Sequence, residues 1–188
     1  MSEGKAAVAL YGLRDLIGED SIDAALRQFK TEFGGRTAGP YAGANDLYRC
    51  LKAHTPDSLQ YYLTDSWLKV TLYDNQTSSV SATPTGKSDE YKVVLHVQVG
   101  KEWREGPKEI PATGMADYID IGIFGPSTTN KTTGRGQTNP LYLQKYKLSE
   151  GSHVITVIVH GKPEWAGIDP YNKLIDVRPG DNTKPFAK

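Results

Sequence analysis

The sequence predicts an α+β chain, with a short array of about four helices over residues 1–68 and an antiparallel β-sandwich over residues 69–188. Three observations carry this. Apolar side chains recur at helical spacing up to Trp67, the period changes at Lys69, and beyond it short alternating runs are separated by Gly, Pro, Asn and Thr clusters.

The change of period lies inside residues 55–75. Thr55 or Asp57 can cap a helix, and Pro56 suits a first turn, where its missing N–H costs nothing. Leu59, Tyr62, Leu63, Ser66 and Trp67 then form one stripe. From Val70 to Asn75 the run is β-branched and aromatic, with Val70, Leu72 and Asn75 among Thr71, Tyr73 and Asp74, and it reads as strand. The stretch is the joint between two structural units.

Upstream, residues 5–17 place Ala6, Ala9, Leu10, Leu13, Leu16 and Ile17 on one face of a helix that stops at Gly18. Ser21 restarts the chain, with Glu19, Asp20 and Asp23 around the positive end of the helix dipole. Ile22, Ala25, Leu26, Phe29 and Phe33 make the second stripe, which Gly34 and Gly35 end. Residues 37–43 read as loop, and Asn45 is placed to cap a third helix carrying Leu47, Cys50, Leu51 and His54. Helices this short make only a thin core, so one face of the array is expected to meet protein absent from this chain. Residues 1–4 read as a leader added to an excised segment.

Downstream, residues 91–99 alternate, with Tyr91, Val93, Leu95, Val97 and Val99 on one face. Residues 118–124 place Ile119, Ile121 and Ile123 inward and Tyr118 and Asp120 outward. Residues 141–148 alternate weakly, and residues 153–159 are apolar on nearly both faces, as in a central strand. Residues 80–83 and 173–177 are weaker strand candidates. About seven strands with regular turn signals point to a sandwich of immunoglobulin or fibronectin type. The polar stretch 125–140 reads as a long mobile loop.

Composition narrows the function. Lys plus Arg number 22 and Asp plus Glu number 22, so the balanced charge offers no field for nucleic acid or an anionic membrane. The single cysteine, Cys50, excludes an internal disulfide and a multi-cysteine zinc site, and its place on an apolar stripe makes it a buried hydrophobe. No apolar run reaches the roughly 18 residues of a membrane span, and residues 1–13 lack the basic leader and small-residue cleavage site of a signal peptide.

No catalytic constellation is legible. His54, His96, His153 and His160 have no histidine three or four residues away, and no His-Glu-x-x-His, phosphate loop or nucleophile elbow appears. His54, at a helix C-terminus, reads as a dipole-compatible surface residue. Asp117 and Asp120 read as a solvated strand end. Residues 166–182 hold Asp169, Asn172, Asp176, Asp181 and Asn182, oxygen donors of the kind calcium takes, but their spacing does not match an EF-hand loop, and Asp169 to Asn172 more simply form an Asx-type turn. Asn75-Gln76-Thr77 and Asn130-Lys131-Thr132 match the glycosylation pattern, which chance supplies often. From the residues, then, the catalytic, cofactor-binding and metal-ligand sets are empty, and a binding or structural role is expected.

Three stretches carry a resemblance. KAAVALYGLRDLIGEDSIDAALRQF, residues 5–29, resembles the helix-turn-helix that follows the catalytic tyrosine in M1-family zinc aminopeptidases, of the form Tyr-x-Lys-Gly, apolar helix, Ile-Gly-Glu, helix. TPDSLQYYLTDSWLKVTLYDN and AGIDPYNKLIDVRPGDN, residues 55–75 and 166–182, resemble the end of the helical region and of the β-sandwich in a bacterial branch of that family. There the peptidase is often the C-terminal part of an ABC-transporter-permease-like membrane protein. The resemblance covers nearly the whole chain and implies a C-terminal fragment whose sandwich is a non-catalytic spacer. Its departures are Glu3 where the family has tyrosine and Lys5-Ala6 where it has Lys-Gly, while the zinc-binding and substrate motifs of the family would lie upstream.

What the resemblance implies is a soluble part of a bacterial membrane protein, on an undetermined side. Its partner would be the upstream catalytic domain of its own polypeptide, and zinc and the peptide substrate would belong to the longer protein. The alternative is a free-standing β-sandwich recognition module for carbohydrate or protein, suggested by the tyrosines and by Trp103 and Trp165 near sandwich edges.

Overall fold

The computed structural model describes residues 3–129 and 136–187. Met1 and Ser2, of the expected leader, lie outside the described residues. Two compact units are present: Met1–Thr71 with Arg104–Pro107, and Leu72–Trp103 with Lys108–Lys188.

In the first unit, helix α1 (Glu3–Ile17) and helix α2 (Glu19–Phe33) are broken apart at Gly18, whose φ of 86° lies in the left-handed region where a Cβ is disfavoured. The Gly18 N–H donates back to the Arg14 carbonyl at 2.8 Å, closing α1. Helix α3 (Ala44–Ala53) follows. Its start is not capped by Asn45, which falls inside the first turn. Instead the Asp46 carboxylate accepts the Gly43 N–H at 2.9 Å, bringing an acidic side chain to the positive end of the dipole.

The joint helix is less regular than its stripe predicts. It comprises a 3₁₀ turn (Asp57–Leu59), a short helix α4 (Gln60–Leu63) and a π-helical turn (Thr64–Leu68). Thr55 does not cap it, because its hydroxyl donates to the Leu51 carbonyl at 2.8 Å. Thr64 and Ser66 donate in the same way to the carbonyls of Gln60 and Tyr62, a back-bonding that competes with regular helix geometry.

The core of this unit is small, as the helix lengths imply. Leu13, Ala25, Cys50, Leu51 and Leu63 are fully enclosed, and the Tyr62 hydroxyl, also buried, donates to the Ala9 carbonyl at 3.1 Å. Leu26, expected in the buried stripe, is instead 41% exposed, while Ile22 and Ala25 of the same helix are buried.

Ten strands are present among the described residues: β1 (Val70–Tyr73), β2 (Gln76–Pro84), β3 (Glu90–Val99), β4 (Lys101–Glu105), β5 (Lys108–Pro111), β6 (Ala116–Thr129), β7 (Gly136–Ser149), β8 (Gly151–His160), β9 (Trp165–Ile168) and β10 (Thr183–Pro185). They form sheets of order β1–β4–β5, β2–β3–β8 and β10–β9–β6–β7, and the pairings of the last two are antiparallel. Val93, Leu95, Val97 and Val99 of β3 and Ile119, Ile121 and Ile123 of β6 meet in one core with Ile155, Val159 and Ile168. Strand alternation alone puts these side chains there.

Several local expectations are corrected. In β1 the buried side chains are Thr71 and Tyr73, while Val70 is 54% exposed. The Thr71 hydroxyl and the Tyr73 phenol both find buried partners, which offsets their desolvation. The polar stretch expected as a loop is paired strand on both sides: Gly125 faces Asn139 and Thr129 faces Gly136. Strand β8 is at the edge of its sheet, not central, and Val154 and Ile158 point outward, 62% and 51% exposed. The weak strand candidate 173–177 forms a single parallel bridge between Tyr73 and Asp176. The hairpin β4–β5 and the short strands β9 and β10 carry too little alternation to be read in sequence.

Candidate functional site

The main polar feature of the β unit lies along β6 and corrects the expectation that Asp117 and Asp120 form a solvated strand end. Both are buried, 4% and 5% exposed. Asp117 is on the face of Ile119 and Ile121, and its Oδ2 accepts from Lys101 Nζ at 2.7 Å and the Tyr73 hydroxyl at 2.8 Å. Asp120 is on the opposite face, where Oδ2 accepts from Lys173 Nζ at 2.6 Å and Oδ1 from Lys145 Nζ at 3.0 Å. Each carboxylate thus has the ion pair and hydrogen bonds that burial demands.

The opposite face of β6 is roofed by the chain after β9. Phe124 stacks on Trp165 at a ring separation of 3.8 Å and an interplanar angle of 9°, and Tyr171 meets the Phe124 ring edge-on at 5.8 Å. Gly122 leaves the space: a Cβ there would press into the Phe124 ring and Pro170. Asp169 begins the turn with φ of 42°, its amide N–H donating to the Asp120 carbonyl at 2.8 Å. Its two carboxyl oxygens accept the backbone N–H groups of Lys173 and Leu174, at 2.9 and 3.0 Å, four and five residues on. Residues 169–172 therefore turn through the Asn172 N–H to Asp169 carbonyl bond at 3.0 Å, and not through the expected Asx-type bond. Burial pushes the Asp169 carboxyl up to about 7, outweighing the two N–H donors, and the Asp120 and Asp176 charges add smaller upward contributions. A carboxyl titrating there has the proton affinity of a general acid or base. Yet it is 2% exposed, so it has no route to a substrate and acts as a structural tie.

A second buried group gathers where the turn before β2 meets the last turns of the chain. The Asn75 N–H donates to Asp176 Oδ2 at 2.9 Å, and the Arg178 N–H to Asp176 Oδ1 at 2.8 Å. The Thr77 hydroxyl donates to the Asn182 carbonyl at 2.6 Å and accepts from the Ile168 N–H at 3.2 Å. Asn75 and Asn182 are wholly enclosed. The sequon asparagine at position 75 is therefore closed to modification in the folded chain; the sequon at Asn130 lies outside the described residues.

The zinc implied by the resemblance finds no ligand set here. His54 Nε2 is 2.9 Å from Gln28 Oε1, His153 Nε2 is 2.8 Å from the Ser149 carbonyl, and His160 lies 3.9 Å from Glu90. His96 is on the exposed face of β3. Among the described residues no three or more His, Cys, Asp or Glu side chains are grouped to hold a metal ion, and no helix is long and apolar enough to cross a membrane. Cys50 is fully enclosed, and burial pushes its thiol up, away from the reactive thiolate.

Of the tryptophans suggested for recognition, Trp165 lies flat on Phe124 and Trp103 is half-buried. An aromatic groove does exist elsewhere, about 250 Å³ in volume, lined by Val80, Tyr91, Lys162, Pro163 and Phe186. Sequence reasoning missed the Lys101, Lys145 and Lys173 partners of β6 because they come from distant strands and turns. No family model matches the chain, and no curated protein matches it.

Proposed function

We propose that this chain is the non-catalytic C-terminal part of a zinc aminopeptidase-like protein of the M1 family, its β unit serving as an immunoglobulin-like sandwich that braces neighbouring domains. The observation that carries the reading is the break at Ile17-Gly18-Glu19. Helix α1 ends, Gly18 turns through the left-handed region, and α2 begins with acidic residues at its positive end, in agreement with the helix, Ile-Gly-Glu, helix form that the sequence resembles. The exposure of Tyr11 at 50% and Leu26 at 41% supports an apolar helical face for the upstream catalytic domain. Buried ion pairs on both faces of β6 suit a stiff spacer.

In this reading the complete protein is a bacterial membrane protein of the permease-like branch. It removes N-terminal residues from peptides with a zinc-activated water and a glutamate base supplied upstream. An immunoblot of the native source, with antibody against this chain, tests it. A band far above 20.6 kDa in the membrane fraction is expected; a soluble band at the chain's own mass overturns it. The second reading, a sandwich recognition module, rests on the groove beside Tyr91 and Phe186. Glycan-array binding lost on Tyr91→Ala would favour it.

A further inference from the structure

The buried group around Asp176 contains polar atoms, acceptors and donors alike, that the protein's own groups leave unpaired. Asn75 and Asn182 are 0% exposed, yet neither the amide oxygen nor the amide nitrogen of either makes a hydrogen bond. Asp181 Oδ1 is likewise buried and without a partner, while Oδ2 accepts only a long bond of 3.3 Å from Gln76. Buried polar atoms left in this state carry an uncompensated desolvation cost. Such groups persist where something outside the protein's own hydrogen bonds occupies them.

Charge indicates the occupant. Asp74, Asp176 and Asp181 all act on the Arg178 guanidinium, three carboxylates against one cation. Arg178 is spent largely on Asp74, whose two oxygens accept its Nη2 at 2.9 and 3.0 Å, and it reaches Asp181 only at 4.0 Å. Asp176 keeps free lone pairs, since each oxygen accepts one backbone N–H. Burial pushes its carboxyl up, against the Arg178 and Asn75 N–H donors and the nearby Asn182 amide, and the charge of Asp74 adds a smaller upward push. Excess negative charge and three unpaired hard oxygens thus belong to the same two segments, 74–76 and 176–182.

We propose that Asn75, Asp176, Asp181 and Asn182 form a site for one hard divalent cation of the calcium class. Two carboxylates and two amide oxygens are a donor set of the kind calcium takes, and the two charges of the ion balance the local excess. The ion joins the turn before β2 to the segment 176–182, a span that no disulfide or zinc site covers in a chain with one cysteine. Its role is structural, and it does not depend on the aminopeptidase reading.

The test is thermal unfolding of the full chain stripped with EGTA, followed by calcium or magnesium. Calcium at about a hundredfold over its Kd is expected to raise the midpoint by roughly 5–10 °C, and magnesium to raise it less. Asp181→Asn, which keeps shape but removes a charge, should weaken calcium binding by about tenfold or more. Asn75→Asp, which adds one, should tighten it. If calcium leaves the wild-type midpoint unchanged, the amides hold water alone and the proposal is overturned. A calcium response identical in wild type and both variants overturns the assignment to these residues.

Discussion

Lys101 and Asp117 face each other at 2.7 Å with their side chains only 4% and 5% exposed, and the Tyr73 hydroxyl shares the same carboxylate oxygen. A charge so enclosed is tolerated because its partner is there. Asp117→Leu should therefore cost about 3–5 kcal/mol, taking a carboxylate away from a buried ammonium. The double variant Lys101→Met/Asp117→Leu should recover much of that loss. Urea unfolding of both singles and the double gives the coupling; additive losses would show that the pair acts independently.

Asp169 gives stability a pH dependence of unusual sign. Its folded carboxyl titrates near 7 against an ordinary value of 3.8. Between those values the folded chain holds a proton that the unfolded chain has released. Stability from this group is thus full below the lower value and is lost as pH rises towards 7, by at most about 1.4 kcal/mol per pH unit. Burial sets the shift, the Leu174 and Lys173 N–H donors oppose it, and the Asp120 and Asp176 charges add a smaller push upward. Subtracting the profile of Asp169→Asn from that of wild type should isolate the falling limb. Parallel profiles from pH 4 to 7 would place the titration elsewhere.

Gly167 lets β9 lie against the end of the chain. A Cβ at that position would collide with the Asn182 carbonyl and the Thr183 backbone, neither of which is a flexible tip. Gly167→Ala should lift residues 182–185 while leaving β6–β7 paired. Hydrogen exchange reads this directly: the Ile168 amide, bonded to the Asn182 carbonyl at 3.0 Å, should lose protection, and the Ile121 amide should keep it.

Cys50 should behave as an inert thiol. With no exposed surface and a proton affinity raised by burial, it should react with a disulfide reagent only at the rate of local or global opening of the helical unit. A rapid stoichiometric reaction in native buffer would contradict its enclosure.

The helices, β3 and the inward isoleucines of β6 were legible because one periodicity decided each of them. What escaped was set by partners distant in sequence. Asp120 alternates outward from Ile119 and Ile121, so it reads as solvated until Lys145 and Lys173 are brought over it. Val70 and Leu72 outrank Thr71 and Tyr73 in hydrophobicity, yet the polar pair is buried because Asp65 and Asp117 supply acceptors. Asn75 looked like a surface sequon for the same reason: its enclosure depends on residues 176–182. Strand β8 looked central because its outward Val154 and Ile158 are apolar, a property an edge strand also carries when its outer face is left uncovered.

The bond from Thr77 to the Asn182 carbonyl joins residues 105 apart in the chain, and this separation has a meaning in time. At ribosomal speeds of about 5–20 residues per second, the first polar groups of the β unit wait roughly 5–20 s for the last turn that seals them. Until then a nascent β2–β3 hairpin stands with Asn75 and Thr77 open to water and to other chains. A product that stops short of Asn182 keeps that opening permanently.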